Sequence, residues 1–337
     1  MDMSVDFSNK SILITGGAGF IGSNLAFYFQ NNFPSAQIVI FDSFRSEERL
    51  SNGNRKSFGS YTNLIGFKGT FICGDLNNRS DIDILRNHRF DYIFHQAAIS
   101  DTRVYDQELV FRTNVNSFYS ILELAKQSGA VLVYASSAAQ YGQTNPPQKI
   151  GFENPDNPYG YSKYAMDQIA RKFIKENQEL KVFGLRYFNV YGPKEFYKET
   201  TASMVLQLAF QILGGNRPRL FVGSDEIYRD FIYVEDVIQA NLKSCSASES
   251  GIYNVGTGIS RSFQDIADIL LFELGSDLNI EYIENPYSDY QTHTQADVKD
   301  SLKFLNFKSR FSLESGIKAY IPSLIQLFDH EVKKLKS

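Results

Sequence analysis

The 337-residue sequence has no tryptophan, only two cysteines and four histidines, and no excess of positive charge. Two cysteines cannot build a disulfide framework. Because Cys73 and Cys245 each lie among apolar residues, we predict that both are small buried side chains in a reducing compartment. The four histidines lack the spacing of metal ligands with each other, with cysteine or with carboxylates, so we predict no metal site.

Charge and hydropathy argue against two further classes of protein. A formal net charge of −4 gives no reason to expect a nucleic-acid partner or an anionic membrane surface. No apolar run approaches the length of a membrane span, and residues 1–10 lack the apolar region of a secretory signal. We therefore expect a soluble cytoplasmic protein, long enough for one large or two modest domains.

A glycine-rich turn near the N-terminus predicts a nucleotide site. The apolar run Ser11–Thr15 ends in GGAGFIG at 16–22, and a helical pattern follows at 23–30. Glycines allow the backbone to turn sharply and to approach a pyrophosphate, whose charge then lies at the helix N-terminus. The motif alone is weak evidence, but its position between a strand and a helix favours a dinucleotide site.

The next predicted strand, 37–41, ends at Asp42. An acidic residue roughly 20 positions after such a turn can bind the hydroxyls of the adenosine ribose. Arg45 follows closely and could instead contact a 2′-phosphate. The alternative for Asp42 is a turn residue at the end of a strand.

Strand-like and helix-like runs alternate to about residue 190, a pattern that predicts an α/β fold with a Rossmann-like, doubly wound parallel sheet. Asp42, Asp75, Ala97, Ser137 and Asn189 all follow predicted strands. Ligands of such sheets bind at the carboxyl ends of the strands. These residues are therefore expected to surround one site.

The pattern becomes less regular after Pro193. We predict an NAD(P)-binding domain over 1–190, to which segments near 230–258 return, and a smaller α/β substrate-binding lobe over most of 191–337. The active site is expected in the cleft between them.

Tyr159 and Lys163 form a candidate proton shuttle. Positions i and i+4 share one face of a helix, so both side chains point the same way. A neighbouring ammonium favours the phenolate form of tyrosine. Ser137, at the end of an earlier strand, could bind the substrate oxygen whose proton Tyr159 takes. The alternative is a surface tyrosine and lysine with a loop serine, which the nucleotide-site context disfavours.

Motifs along nearly the whole chain carry a family resemblance. GGAGFIG at 16–22, SSA-x-x-YG at 136–142 and YGYSK from Tyr159 resemble the extended short-chain dehydrogenase/reductase family of sugar-nucleotide enzymes. More specific segments resemble the ADP-L-glycero-D-manno-heptose 6-epimerases. They are RYFNVYGPKEFYKETTASM at 186–204, LFVGS at 220–224, RDFIYVEDV at 229–237, YNVGTG at 253–258 and YQTHTQAD at 290–297.

The resemblance implies epimerisation at C6 of the heptose in ADP-D-glycero-D-manno-heptose, a step in lipopolysaccharide core precursor synthesis. It implies one tightly bound NADP or NAD per subunit, a 6-keto intermediate, and a homo-oligomer such as a homopentamer. The family tends to use NADP. Asp42 favours NAD, because it would repel a 2′-phosphate, whereas Arg45 favours NADP.

The family resemblance also implies two acid/base groups, one for each epimer, and assigns them to Tyr159 and Lys198. By composition alone Lys198 would be a solvated loop lysine. In the family pattern this lysine follows Gly-His and precedes Gly-Ser. Here the neighbours are Phe196, Tyr197, Glu199 and Thr200.

The remaining site predictions rest on the glycine turn, the strand ends and the resemblance. The predicted cofactor-binding residues are Gly16, Gly19, Phe20, Ile21, Gly22, Asp42, Ser43, Arg45, Asp75, Leu76, Gln96, Ala97, Ala98, Ser100, Asn114, Tyr159, Lys163 and Val190. The predicted substrate-binding residues are Ser137, Asn189, Thr200, Gln207, Phe221, Val222, Gly223, Ser224, Arg229 and Tyr290. At 207 the family pattern has histidine.

Arg229 suits a diphosphate, because its planar guanidinium matches phosphate oxygens. Its alternative is a structural ion pair with Asp230 or Glu235.

Other functions remain open from the residues. A UDP-sugar 4-epimerase, or another sugar-nucleotide epimerase or reductase, is the nearest rival. A 4,6-dehydratase fits less well, because it needs an acidic pair where this chain has Ala138 and Ala139. A non-catalytic NAD(P)-binding sensor is the rival from another class, but it should lack Tyr159 or Lys163.

Overall fold

The computed structural model describes residues 5–285 and 291–336, with side chains to residue 332. Its strands are β1 (Ser11–Thr15), β2 (Gln37–Asp42), β3 (Thr70–Cys73), β4 (Tyr92–His95), β5 (Val131–Ser137), β6 (Val182–Tyr187), β7 (Asn189–Tyr191), β8 (Arg219–Phe221), β9 (Tyr228–Arg229), β10 (Phe231–Tyr233), β11 (Gly251–Val255), β12 (Arg261–Ser262) and β13 (Glu281–Ile283).

The helices are α1 (Phe20–Asn32), α2 (Arg79–Arg86), α3 (Gln107–Phe111), α4 (Ser117–Ser128), α5 (Pro158–Glu176), α6 (Met204–Leu213), α7 (Val234–Ser246), α8 (Phe263–Glu273), α9 (Lys299–Leu305) and α10 (Leu313–Lys336). A π-helical segment, Arg112–Asn116, joins α3 to α4, and Phe196–Thr201 forms a kinked 3₁₀ segment.

Seven parallel strands form the central sheet, in the order β11-β6-β5-β4-β1-β2-β3. β1 is buried except at Ser11 and β6 is buried throughout, as expected for strands covered on both faces. Six of the strands follow the 3-2-1-4-5-6 order of dinucleotide-binding folds. The predicted Rossmann-like parallel sheet is confirmed. β11 extends this sheet beyond β6, so the chain returns to it after residue 250.

The C-terminal part builds its own core from α6, α8 and α10, around Leu208, Leu270 and Leu324. The same part of the chain contains three two-stranded ladders. β10 pairs with β7, which directly follows β6 of the central sheet; β12 pairs with β9, and β13 pairs with β8. Phe20, at the start of α1, packs into the same core. The glycine turn and the C-terminal lobe are therefore in direct contact.

Both cysteines are less buried than the sequence predicts. Cys73, predicted to be buried, is exposed at the end of the edge strand β3, and Cys245 is half-buried; both are free. An edge strand has solvent on one side, which explains the exposure of Cys73.

Within the described residues no helix has the length and apolar character needed to cross a membrane.

A buried polar network fixes the ends of β5 and β6 against α5. The Asp167 carboxylate accepts hydrogen bonds from Tyr134 (2.7 Å), Ser136 (2.9 Å), Gln140 (2.8 Å) and the Arg186 Nε (2.9 Å). Asp167 and Arg186 are both fully buried. Because Ser136 precedes Ser137, this network also holds the predicted catalytic serine in place.

We expect Arg186→Met to lower the free energy of unfolding by about 3–5 kcal/mol, since it leaves a buried carboxylate without its cation. Urea unfolding would measure this. Arg219→Met is the matched control, because Arg219 forms an exposed ion pair with Glu281 at 3.7 Å and should change stability by less than about 1 kcal/mol. Equal effects of the two substitutions would contradict a structural role for the buried network.

Candidate active site

A cavity of about 650 Å³ opens at the carboxyl ends of the sheet strands, beside the C-terminal lobe. Its lining contains all four predicted catalytic residues, Ser137, Tyr159, Lys163 and Lys198. The predicted cofactor residues in the lining are Gly16, Gly19, Phe20, Ile21, Gly22, Asp42, Ser43, Asp75, Leu76, Gln96, Ala97, Ala98, Ser100 and Val190. The predicted substrate residues in the lining are Asn189, Thr200, Gln207 and Arg229.

Six predicted residues lie away from this lining in the described part of the chain. Arg45, Asn114, Phe221, Val222, Gly223 and Ser224 belong to this group. Tyr290 lies outside the described residues. Phe221 instead ends β8, Val222 and Gly223 form the turn that follows, with Gly223 at φ +81°, and the buried Ser224 begins a 3₁₀ segment.

The glycine turn has the shape of a phosphate cradle. Gly16 has φ +68°, a conformation that favours glycine. A Cβ at Gly22 would lie 2.2 Å from the Gly16 carbonyl oxygen. The turn leads directly into the 13-residue helix α1. The first backbone N–H groups of a helix have no partner within it, so they point towards the turn. This arrangement fits the pyrophosphate of a dinucleotide.

We expect Gly22→Ala to weaken dinucleotide binding by roughly 10- to 100-fold, because forced overpacking costs about 1–3 kcal/mol. Calorimetric titration with NAD and with NADP would measure the loss. Gly214→Ala is the control, since Gly214 has φ −79° at the end of α6, away from the cavity lining. Unchanged affinity in Gly22→Ala would remove the turn from the dinucleotide site.

Asp42 ends β2 as predicted, but its carboxylate already has partners. Oδ2 accepts from Ala18 N at 2.9 Å and Oδ1 from Phe44 N at 2.8 Å. Burial raises the pKa of Asp42, and these two backbone bonds oppose the rise. Asp42 therefore also braces the glycine turn, as the turn-residue alternative anticipated.

Arg45 is directed towards the C-terminal lobe. It hydrogen-bonds the Glu199 carboxylate, and its Nη1 donates to Tyr197 O at 3.1 Å. Lys56, which sequence reasoning missed, lines the cavity instead and pairs with Glu48 at 3.1 Å.

The helix carrying the catalytic pair begins with two strong signals. Asn157 caps α5 by accepting from Gly160 N at 2.9 Å, and Pro158 occupies its first position. Lys163 Nζ lies 5.9 Å from the centre of the Tyr159 ring and donates to Ala135 O at 2.7 Å. The lysine thus links α5 to the end of β5, where Ser137 lies.

Burial controls the ionisation of the pair. It lowers the pKa of Lys163 to about 8, an effect that Asp167 opposes. Burial also raises the pKa of Tyr159, and a hydrogen bond with Ser137 opposes the rise. Burial is therefore the largest influence on the Tyr159 pKa in this structure, and it acts against the direction that a neighbouring ammonium favours.

Lys198 lies on the 3₁₀ segment Phe196–Thr201 and faces the cavity from the C-terminal lobe. Its Nζ is 5.7 Å from the centre of the Phe20 ring. Burial lowers the pKa of Lys198, and the negative charges of Glu195 and Asp101 oppose that shift. A lysine with a lowered pKa is suited to proton transfer near neutral pH.

The buried Glu195 anchors the start of this segment. Its carboxylate accepts from Gly192 N at 3.1 Å, Ser203 N at 2.7 Å and Ser203 Oγ at 2.8 Å. Burial raises its pKa, and nearby Lys198 opposes the rise. The chain on either side of Lys198 is thus tied together.

Two other predicted residues have definite places. Arg229 lines the cavity, and its Nη1 donates to Tyr228 O at 2.8 Å, so its guanidinium is positioned by main-chain oxygens. Asn114 has a positioning role. It bonds both backbone groups of Ile99 and donates to Ser162 Oγ at 3.0 Å, which joins the loop after β4 to α5.

Sequence reasoning missed several residues that line the cavity. Asp101 and Arg103, after β4, and Phe263, at the start of α8, are examples. For Asp101 and Arg103 the only available signal was their position shortly after the end of a predicted strand. Phe263 had no such signal, because helix starts in the second lobe are remote in sequence from the sheet.

Comparison with known proteins identifies the family of the chain. The model of the NAD dependent epimerase/dehydratase family matches residues 12–256. An ADP-L-glycero-D-manno-heptose-6-epimerase of Brachyspira hyodysenteriae is 36% identical over 92% of this chain and 96% of its own.

Two solved structures are also similar. The ADP-L-glycero-D-manno-heptose-6-epimerase of Helicobacter pylori has a TM-score of 0.87 at 46% identity, covering 96% of this chain and 98% of its own. A UDP-glucose 4-epimerase of Thermotoga maritima, solved with UDP-glucose, has a TM-score of 0.82 at 26% identity, covering 94% and 99%. The resemblance seen in the sequence is confirmed, and the chain belongs to the NAD dependent epimerase/dehydratase family.

Proposed function

We propose that the protein interconverts ADP-D-glycero-D-manno-heptose and ADP-L-glycero-D-manno-heptose by inverting C6 of the heptose. One observation carries the proposal: Tyr159 and Lys198 both line the same cavity as the glycine turn, from different lobes. An epimerase must handle a proton at either configuration of one carbon, so two separately held acid/base groups match its needs. Two of the three relatives named above, those of Brachyspira hyodysenteriae and Helicobacter pylori, carry this activity in their names.

The site residues divide the work as follows. The turn at 16–22 and Asp42 would hold the adenosine diphosphate end of NAD or NADP, which supplies a hydride acceptor and donor when bound. Ser137 would hold the C6 oxygen beside Tyr159. In one direction Tyr159 takes the hydroxyl proton as C6 becomes a ketone. Lys198 returns a proton to the oxygen once the ketone presents its other face, and the roles reverse in the opposite direction.

Arg229 would bind the diphosphate of the ADP-sugar. Arg229 lines the cavity and its guanidinium donates to a main-chain oxygen, so little conformational freedom is lost on binding. Asn189, Thr200 and Gln207, which also line the cavity, would contact the sugar.

Incubation of the purified protein with each ADP-heptose epimer, followed by NMR, tests the function directly. We expect both epimers to reach one equilibrium mixture without added nucleotide. A UDP-sugar 4-epimerase is the second candidate, favoured by the likeness to the Thermotoga maritima structure. Turnover of UDP-glucose in the absence of any change to ADP-heptose would establish that alternative.

Two finer proposals rest on the family resemblance. We propose a homo-oligomer and a cytoplasmic location. Light scattering after size-exclusion chromatography tests the first, and a mass equal to the 38.3 kDa chain would contradict it. Fractionation of the native cells tests the second.

A further inference from the structure

The segment that carries Lys198 contains an unusual residue, Glu199. Its backbone has φ 53° and ψ −123°, a conformation that residues other than glycine rarely adopt. Strained backbone persists where surrounding contacts impose it, and it tends to occur at functional sites.

Two arginines hold the Glu199 side chain. Arg45 hydrogen-bonds its Oε1, and the Arg55 Nε lies 3.5 Å from the same oxygen. Both arginines come from the loop between β2 and β3, whose residues Lys56 and Gly59 line the cavity. The Glu199 side chain is one-third exposed, and those of Arg45 and Arg55 are about one-fifth and one-quarter exposed. This is a partly desolvated, two-cation site and not a solvated surface pair.

Neighbouring contacts tie the same two segments together. Arg45 Nη1 also donates to Tyr197 O, on the other side of Lys198. Thr200 Oγ1 donates to Asn54 Oδ1 at 3.0 Å, and Asn54 belongs to the β2–β3 loop. The residues before and after Lys198 are therefore both attached to this loop.

We propose that Glu199 is a positioning residue for Lys198: its ion pairs with Arg45 and Arg55 fasten the Lys198 segment to the β2–β3 loop and hold the amine at the cavity. The inference rests on the proposed function, in which Lys198 serves one of the two epimers. A segment bearing glycine here would adopt the same backbone without strain but would lack this attachment. Glu199 thus combines a strained backbone with ion pairs that fix the position of the Lys198 amine.

Single-turnover reduction of the bound nucleotide by each ADP-heptose epimer, followed by absorbance, separates the two half-reactions. We expect Glu199→Gln and Glu199→Gly to slow the half-reaction that uses Lys198 by at least about tenfold, since small misplacements of catalytic groups cost such factors. The half-reaction that uses Tyr159 should change by less than about twofold. Glu108→Gln is the control, because Glu108 pairs with Arg112 on an exposed helix face.

Stability provides a second readout. Glu199→Gly relieves the backbone strain but also removes the ion pairs with Arg45 and Arg55, and because these effects oppose each other we expect its Tm to stay close to that of the wild type. Arg55→Met should slow the same half-reaction as Glu199→Gln, and the double variant should be no slower than the slower single variant.

The outcomes are distinct. If the Glu199 variants slow both half-reactions equally, the residue has a general structural role and the inference is overturned. Slowing that is accompanied by a large fall in Tm would lead to the same conclusion. Unchanged rates in both half-reactions would also overturn it. If the wild-type protein reacts with neither epimer, the proposed function fails, and the inference fails with it.

Discussion

Tyr159→Phe should reduce epimerisation by roughly 10²–10⁴-fold, the range that a positioned acid/base group contributes. The phenol is buried and lines the cavity beside Ser137, so water cannot easily replace it. Removing one oxygen atom leaves the ring packing in place, and the fold should be unaffected. Conversion of either ADP-heptose epimer, followed by NMR, would measure the loss.

Tyr161→Phe is the matched control for this experiment. Tyr161 lies on the same helix but is half-exposed and away from the cavity, so its variant should keep wild-type activity. Single-turnover reduction adds a sharper test. The half-reaction that relies on Lys198 should survive in Tyr159→Phe. Loss of both half-reactions would indicate that Tyr159 is required for more than one proton transfer.

Lys198→Met should reduce net epimerisation by a similar factor of roughly 10²–10⁴, because both half-reactions are needed for inversion. Methionine keeps much of the side-chain volume and removes the amine. The two half-reactions should respond in the opposite way from Tyr159→Phe, since each variant retains one base. Lys172→Met is the control, because Lys172 is largely exposed on α5. A near-normal rate in Lys198→Met would remove this lysine from the mechanism.

The pH dependence of the same half-reaction gives independent evidence. Burial lowers the pKa of Lys198, so the neutral amine forms at a lower pH than for an ordinary lysine. Where Lys198 acts as the base, the rate should rise with pH and level off below the usual lysine pKa of 10.5. Lys198→Met should lack this rise. An identical pH profile in the variant would contradict the assignment.

Local sequence rules predicted much of the fold and the cofactor side of the site. Strand β1 has the predicted bounds, because an apolar run that ends at a glycine turn is a strong local signal. The glycine turn and the Tyr159–Lys163 spacing are also local patterns, readable within a few residues. α9 and the two-residue strands β9 and β12 were missed, because such short elements depend on tertiary contacts.

The rest of the site depends on contacts that sequence spacing cannot reveal. Arg45 and Glu199 are separated by 154 positions, yet their side chains meet. Arg45 was predicted to face the cofactor, since its position after Asp42 is all that a single sequence offers. Lys198 was identified only by resemblance, because a loop lysine has no local signature. The burial that shifts its pKa arises from packing between lobes.

The return of the chain to the central sheet limits how the protein can be divided. β11 pairs with β6 and comes more than 60 residues after it, once the chain has passed through much of the C-terminal lobe. A fragment ending at residue 190 would leave the unpaired edge of β6 exposed, and buried strands with free edges tend to associate with other chains. Expression of that fragment alone should give aggregates. A two-part complementation system would have to supply β11 from its second piece to restore a stable sheet.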